Sequence, residues 1–244
     1  WDTPALTIDL DRLQSNIERV QTYLDQHQIH NRPHIKTHKI PEIAHMQLRA
    51  GAAGITCQKL GEVEIMAQAG IRDIFLPYNI MGQPKLERLR QLAKRVDLSL
   101  TADSLYTALG YSRIAMEAGV VLNILVEFDT GKGPCGVQTP EQAAELAQAI
   151  DSLDGLRFAG LMTYPCNEMT DDFVEQTKSL LAQQGLAIER ISAGGTPQLW
   201  QAHEHQTVTE YRAGTYVYGD RRSVQVGMMT YEQCALHIQT TVVS

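Results

Sequence analysis

The chain has 244 residues, 43% of them hydrophobic, and a formal charge of −7. That length suits one large core and overlaps the range of a single α/β barrel, while the acidic balance excludes a general nucleic-acid binder, which needs a cationic face for phosphates. The longest apolar runs are strand-length, well short of the roughly 18 residues of a membrane span, and no signal peptide precedes the first strand, so a cytoplasmic protein with no membrane partner is expected.

The first element is a strand over residues 5–10, followed by a helix behind an Asp11 cap with Leu13, Ile17, Val20 and Leu24 on one face. Strand-like runs then recur over 33–38, 54–57, 74–78, 98–102, 122–128, 158–164, 188–193 and 208–218, and each but the last is followed by a helical pattern. Asp103-Ser104 and Thr139-Pro140-Glu141 open helices, and Gly51, Gly70, Gly119 and Gly185 end them. Eight such steps in about 200 residues predict an α/β fold, a closed parallel (β/α)8 barrel of the TIM type over residues 11–230. The strand in residues 1–10 and the alternating stretch in 231–244 fall outside the barrel and are expected to belong to a second, C-terminal β domain that is largely absent. Because the chain starts at Trp1 and stops inside that stretch, a piece of a longer protein is expected.

The segment Arg32-Pro33-His34-Ile35-Lys36-Thr37-His38-Lys39 carries the strongest chemical signal. Read as a strand, it puts His34, Lys36 and His38 on one face and Ile35 and Thr37 on the other. With Ile35 packed on helices, Lys36 points into the barrel, and a lysine so placed is suited to Schiff-base chemistry. Active-site groups of such barrels lie at the C-terminal strand ends, with phosphate commonly bound after the last two strands. Two small-residue turns occur there: Ser192-Ala193-Gly194-Gly195-Thr196-Pro197 and Arg212-Ala213-Gly214-Thr215-Tyr216. They read either as a phosphate cradle or as tight turns.

Together with Gly54-Ile55-Thr56-Cys57-Gln58-Lys59, these ordered motifs resemble the family of D-threonine aldolases and D-serine dehydratases, whose barrel is similar to that of alanine racemase. The resemblance spans essentially the whole chain. It implies pyridoxal phosphate as cofactor, Lys36 as its Schiff-base lysine and catalytic residue, and Gly194, Gly195, Thr196, Gly214 and Thr215 as phosphate-holding positions. Arg212 matches the arginine that meets the pyridine nitrogen. Gln58 and Tyr164, at the ends of their strands, read either as cofactor contacts or as rim residues. The family also implies a homodimer, a small D-amino acid substrate, and a divalent metal, zinc or manganese, held by the C-terminal domain; no metal ligands are assigned within these 244 residues.

One position departs from the family. After the strand over 122–128, where an arginine near the cofactor ring hydroxyl is usual, the sequence has Pro134, which offers neither charge nor a backbone donor; Lys132 is a partial substitute. The same stretch, Gly131-Lys132-Gly133-Pro134-Cys135-Gly136, matches a dinucleotide loop, but its helix starts later, at Thr139-Pro140, and its strand is not the first of a βαβ unit. Val126 and Gly133 stand where a Walker loop requires glycine and Ser or Thr. His34 and His38, four apart on a strand, would be separated by roughly 13 Å, too far for one metal ion, and His203 and His205 read as a solvated loop. Cys57, Cys135, Cys166 and Cys234 form no Cys-x-x-Cys pair and read as reduced thiols.

The expected activity is therefore a pyridoxal phosphate-dependent lyase on β-hydroxy D-amino acids, as an aldolase or a dehydratase. The alternatives are an amino-acid racemase on the same barrel and a non-catalytic pyridoxal phosphate-binding protein.

Overall fold

A computed structural model describes residues 2–131 and 135–244. Ten strands run in chain order: β1 (Ala5–Ile8), β2 (His30–Asn31), β3 (Ile55–Thr56), β4 (Asp73–Leu76), β5 (Asp97–Ala102), β6 (Leu122–Glu127), β7 (Leu156–Met162), β8 (Arg190–Ala193), β9 (Glu210–Tyr211) and β10 (Leu236–Gln239). Strands β2 to β9 form one parallel sheet in the order β2-β9-β8-β7-β6-β5-β4-β3. Its two ends meet through the parallel bridge His34 to Thr56, with Thr56 N–H donating to Pro33 O at 2.8 Å and Ala53 N–H to Asn31 O at 2.8 Å. The expected eight-stranded parallel barrel of the TIM type is present.

Helices α1 (Leu10–Gln26), α2 (Pro41–Arg49), α3 (Leu60–Gln68), α4 (Gln83–Ala93), α5 (Leu105–Ala118), α6 (Pro140–Asp151), α7 (Thr170–Ala182) and α8 (Arg221–Gln225) accompany the strands. The cap of helix α1 lies two residues before the expected one: Asp9, not Asp11, accepts the Arg12 N–H at 3.0 Å. Its apolar face is the expected one, with Leu13, Ile17, Val20 and Leu24 fully buried. Ser104 and Thr139 cap α5 and α6 as read from the sequence. Among the described residues no helix is long and apolar enough to cross a membrane.

Alternation separates two interiors. Residues facing the helices join one large apolar core, whereas Phe75, Leu125, Ala159 and Met162 form a small separate cluster on the face that strand alternation turns inward. The rest of that inward face is polar and charged, and includes Arg190, Ser192, Glu210 and Arg212. The terminal strands lie apart from the barrel: β1 pairs antiparallel with β10, Ala5 opposite Gln239 and Ile8 opposite Leu236.

Two predicted strands are much shorter than expected. The run over 33–38 contributes only the bridge at His34 before a 3-10 turn at Ile35–Thr37, and the run over 208–218 contributes β9 before a 3-10 turn at Thr215–Val217. Apolar and β-branched composition suggested extended chain in both places. Backbone bonds closing each turn, His38 N–H to Ile35 O at 3.1 Å and Tyr218 N–H to Thr215 O at 3.1 Å, prevail over that propensity.

Gly160 sits where the register between β6 and β7 shifts by one residue, at a φ of +143°. An added Cβ would lie inside the carbonyl group of Arg190 on β8. Gly160→Ala is therefore expected to destabilise the fold by about 2–3 kcal/mol or more. Gly61→Ala, in α3 with open space around the new methyl, should be neutral or stabilising by up to about 1 kcal/mol. Urea denaturation of the two variants checks the contrast.

Candidate active site

The C-terminal ends of the strands surround a cavity of about 510 Å³, a size suited to a small-molecule ligand. All nine residues singled out from the sequence line it: Lys36, Gln58, Tyr164, Gly194, Gly195, Thr196, Arg212, Gly214 and Thr215. Pro134 and Lys132 lie outside the described residues.

Lys36 reaches the cavity from a 3-10 turn and not from a strand, and it stands at the mouth as an exposed side chain and not as a buried one. Its Nζ donates to Gln58 Oε1 at 3.4 Å. Burial of part of the side chain, then the positive charge of Arg212, lower the Lys36 amine below the ordinary lysine range, against a smaller opposing pull from Glu62. More of the reactive neutral amine is present than an isolated lysine would offer. Lys39 does not share this position: its left-handed backbone (φ +54°) turns it away, and its exposed Nζ donates to Lys36 O at 2.8 Å.

His34 and His38, expected on one face with Lys36, are separated by the turn. His34 lines the cavity, while His38 is buried with its ring edge-on to Tyr218. The His34 contacts define one tautomer. Its Nδ1 accepts the Lys36 N–H at 3.4 Å, leaving Nε2–H to donate to Gln58 Oε1 at 3.1 Å. Burial, then the charges of Lys36 and Arg212, push the His34 pKa down to about 3, so the ring is a neutral prop for Gln58.

Beside the lysine turn, Thr196 Oγ1 accepts from the N–H groups of Gly214 (3.2 Å) and Thr215 (3.0 Å), which brings the two small-residue turns into one corner. The glycines there have different duties. A side chain at Gly194 (φ +81°) would run into the Tyr211 ring, and one at Gly214 would meet His34 O at 2.6 Å, so both serve the close approach of neighbouring chain. At Gly195 an added Cβ would meet only the outer edge of the exposed Tyr164 ring, at 2.7 Å, and the Gly195 backbone N–H has no acceptor among the described residues.

Arg212 forms the floor. It is 5% exposed, its Nη1 donates to Ser192 Oγ at 2.8 Å and its Nη2 to Thr163 O at 2.8 Å. Burial lowers its pKa to about 10, which leaves it a cation at neutral pH.

Sequence reasoning passed over Glu127, although it ends β6 at the cavity and is 9% exposed. The rule that strand ends face the mouth, applied to β6, would have found it. Its Oε1 accepts from Cys135 Sγ at 3.1 Å, and burial raises its pKa against that bond, with Asp103 adding to the rise and Arg212 opposing it. The Cys135 thiol is in turn pushed up to about 12 by burial and by Glu127, so it is no nucleophile. Among the described residues no group of three or more His, Cys, Asp or Glu side chains is arranged to hold a metal ion; the metal that the family resemblance implies is assigned to a domain outside them.

The model of the alanine racemase N-terminal domain matches residues 8–222. This chain belongs to that family. It is 35% identical over 233 residues to D-threonine aldolase of Arthrobacter sp., covering 90% of this chain and 62% of that protein. It is 33% identical over 258 residues to D-threo-3-hydroxyaspartate dehydratase of Delftia sp. (strain HT23), covering 99% of this chain and 68% of that protein. The crystal structure of D-threonine aldolase from Filomicrobium marinum superposes with a TM-score of 0.88 at 31% identity, covering 97% of this chain and 68% of that one. The chain thus spans about three fifths to two thirds of the length of these relatives.

The state of Glu127 gives a pH test with a definite sign. A carboxyl whose folded pKa is raised favours the fold below its unfolded pKa and loses that contribution as pH rises through the folded value. Glu127→Gln, which removes the titration, should therefore gain stability relative to the native chain between about pH 4, below the ordinary glutamate value, and about pH 8. Urea midpoints at the two pH values measure it; an equal difference at both contradicts a raised Glu127 pKa.

Proposed function

We propose that this chain is the cofactor-binding barrel of a pyridoxal phosphate-dependent lyase acting on β-hydroxy D-amino acids. One observation carries the reading: a lysine amine of lowered pKa, a buried arginine and two small-residue turns line one cavity, in a chain about a third identical to D-threonine aldolase and D-threo-3-hydroxyaspartate dehydratase.

The residues present fit this cofactor. Lys36 offers the amine for a Schiff base, and the N–H of Gly195 with the Thr196 hydroxyl would hold the phosphate, since a free backbone donor in a glycine turn suits an anion, while Gly214 and Thr215, whose N–H groups donate to Thr196 Oγ1, would close the corner and fix that hydroxyl. Arg212 would face the ring nitrogen and, as a cation, keep it unprotonated. When bound, the group supplies an extended π system that takes up negative charge from Cα of an amino acid. Gln58, braced by neutral His34, orients the Lys36 amine. Tyr164, Glu127 and Lys36 are the cavity groups suited to moving protons of the substrate. The terminal ribbon β1–β10 reads as the start of the second β domain, where a metal and a partner subunit would act in the whole protein.

Replacement of the two neighbouring lysines tests the lysine assignment. Lys36→Ala should abolish the visible absorbance of lysine-bound cofactor, and Lys39→Ala should leave it. Loss in neither variant, or loss in both, contradicts the assignment. Product analysis with D-threonine and D-threo-3-hydroxyaspartate separates the two lyase types, because cleavage yields glycine and an aldehyde whereas dehydration yields a 2-oxo acid and ammonia.

A further inference from the structure

Alternation on two neighbouring strands puts four polar residues on the inward face: Arg190 and Ser192 from β8, and Glu210 and Arg212 from β9 and its continuation. Ser192 and Glu210 are direct Cα partners in the parallel ladder. The Ser192 hydroxyl donates to Glu210 Oε1 at 2.5 Å and accepts from Arg212 Nη1 at 2.8 Å. Glu210 Oε2 meanwhile accepts from Arg32 Nε at 2.6 Å and lies 3.7 Å from Arg190 Nη1. All of Ser192, Glu210 and Arg212 are buried.

The arrangement is unusual in what it avoids. A buried arginine ordinarily pairs directly with a carboxylate, often through two bonds. Arg212 instead donates to two neutral oxygens, Ser192 Oγ and Thr163 O, and has no carboxylate within ion-pair distance among the described residues. The buried carboxylate of Glu210 is engaged by other arginines.

We propose that Ser192 and Glu210 are positioning residues for Arg212. Glu210, fixed by Arg32 and Arg190, orients the Ser192 hydroxyl, and that hydroxyl anchors the guanidinium at the cavity floor through a neutral contact, so Arg212 is held in place with its charge left for the cavity. Shortening the relay to a direct Glu-to-Arg pair would anchor Arg212 equally well and neutralise it. The inference rests on the cofactor reading above and adds the two residues that set the state of its arginine.

The test measures pyridoxal phosphate affinity and the visible spectrum of the bound cofactor, alone and in combination with a change at Arg212. Ser192→Ala should weaken affinity by about tenfold, the scale of one hydrogen bond to a charged group, and shift the visible band; Ser192→Thr, which keeps the hydroxyl, should restore both. In an Arg212→Met background the further change Ser192→Ala should alter affinity by less than about twofold, because its effect passes through the arginine. Equal losses in both backgrounds, or no loss in either, overturn the proposal. Ser192→Cys, nearly the same volume with a weaker hydrogen-bonding group, supplies the same comparison if the alanine variant does not fold. Native protein that binds no pyridoxal phosphate overturns the cofactor reading itself; binding that is indifferent to Ser192 overturns only the positioning role.

Discussion

The carboxylate of Glu210 is the charge around which the barrel interior is arranged. At 2% exposure it has lost nearly all solvent, and burial alone would drive its pKa up; Arg32 and Arg190 reverse that and hold it below the ordinary range. Removing one member of such a buried set typically costs about 3–5 kcal/mol, because the remaining charge is stranded. Arg32 also pairs with Asp73 on β4, so one cluster ties β4, β8 and β9 to the chain leaving β2. Through Ser192 the same cluster reaches Arg212 at the cavity.

The upper end of the barrel depends on that seam. Beyond β2 and β9 the two chains stay paired, with Arg32 N–H donating to Tyr211 O at 3.0 Å and His34 N–H to Ala213 O at 2.9 Å. Both chains then leave the sheet as 3-10 turns, one carrying Lys36 and the other Thr215. Gly214 admits the close approach between them, since a side chain there would meet His34 O. The Lys36 amine and the Gly214-Thr215 turn are thereby fixed to one another by backbone, which is the rigidity a site needs to hold a ligand at two separated groups.

Most of this frame was legible in the sequence. Period-two and helical patterns located seven of the eight barrel strands and their helices, the run over 33–38 falling just after β2 (His30–Asn31), and glycine-containing turns after strands marked the cavity corner. The lysine turn was read as a strand, because Ile35 and Thr37 have strand propensity and a single short 3-10 turn has no distinctive composition. Strand parity nevertheless put Lys36 at the cavity, and the turn keeps Lys39 from it: Lys39 adopts a left-handed backbone and points back along the chain. Glu127, Ser192 and Glu210 were overlooked because each looks ordinary in its strand, and only the closure of the barrel puts polar inward residues from different strands in contact.

The corner formed by Gly194-Gly195-Thr196 and Gly214-Thr215 is proposed to hold the phosphate of the cofactor. Gly195 is the informative position, since its conformation is extended and a new side chain would press only on the exposed Tyr164 ring. Calorimetric titration of the native protein and of Gly195→Val with pyridoxal phosphate and with pyridoxal, which lacks the phosphate, tests it directly. Loss of the anion's access should weaken pyridoxal phosphate binding by about a hundredfold, equivalent to about 2.7 kcal/mol, and leave pyridoxal binding nearly unchanged. Equal losses for both ligands in a folded variant would mean that the glycines serve only the turn, and would contradict the account.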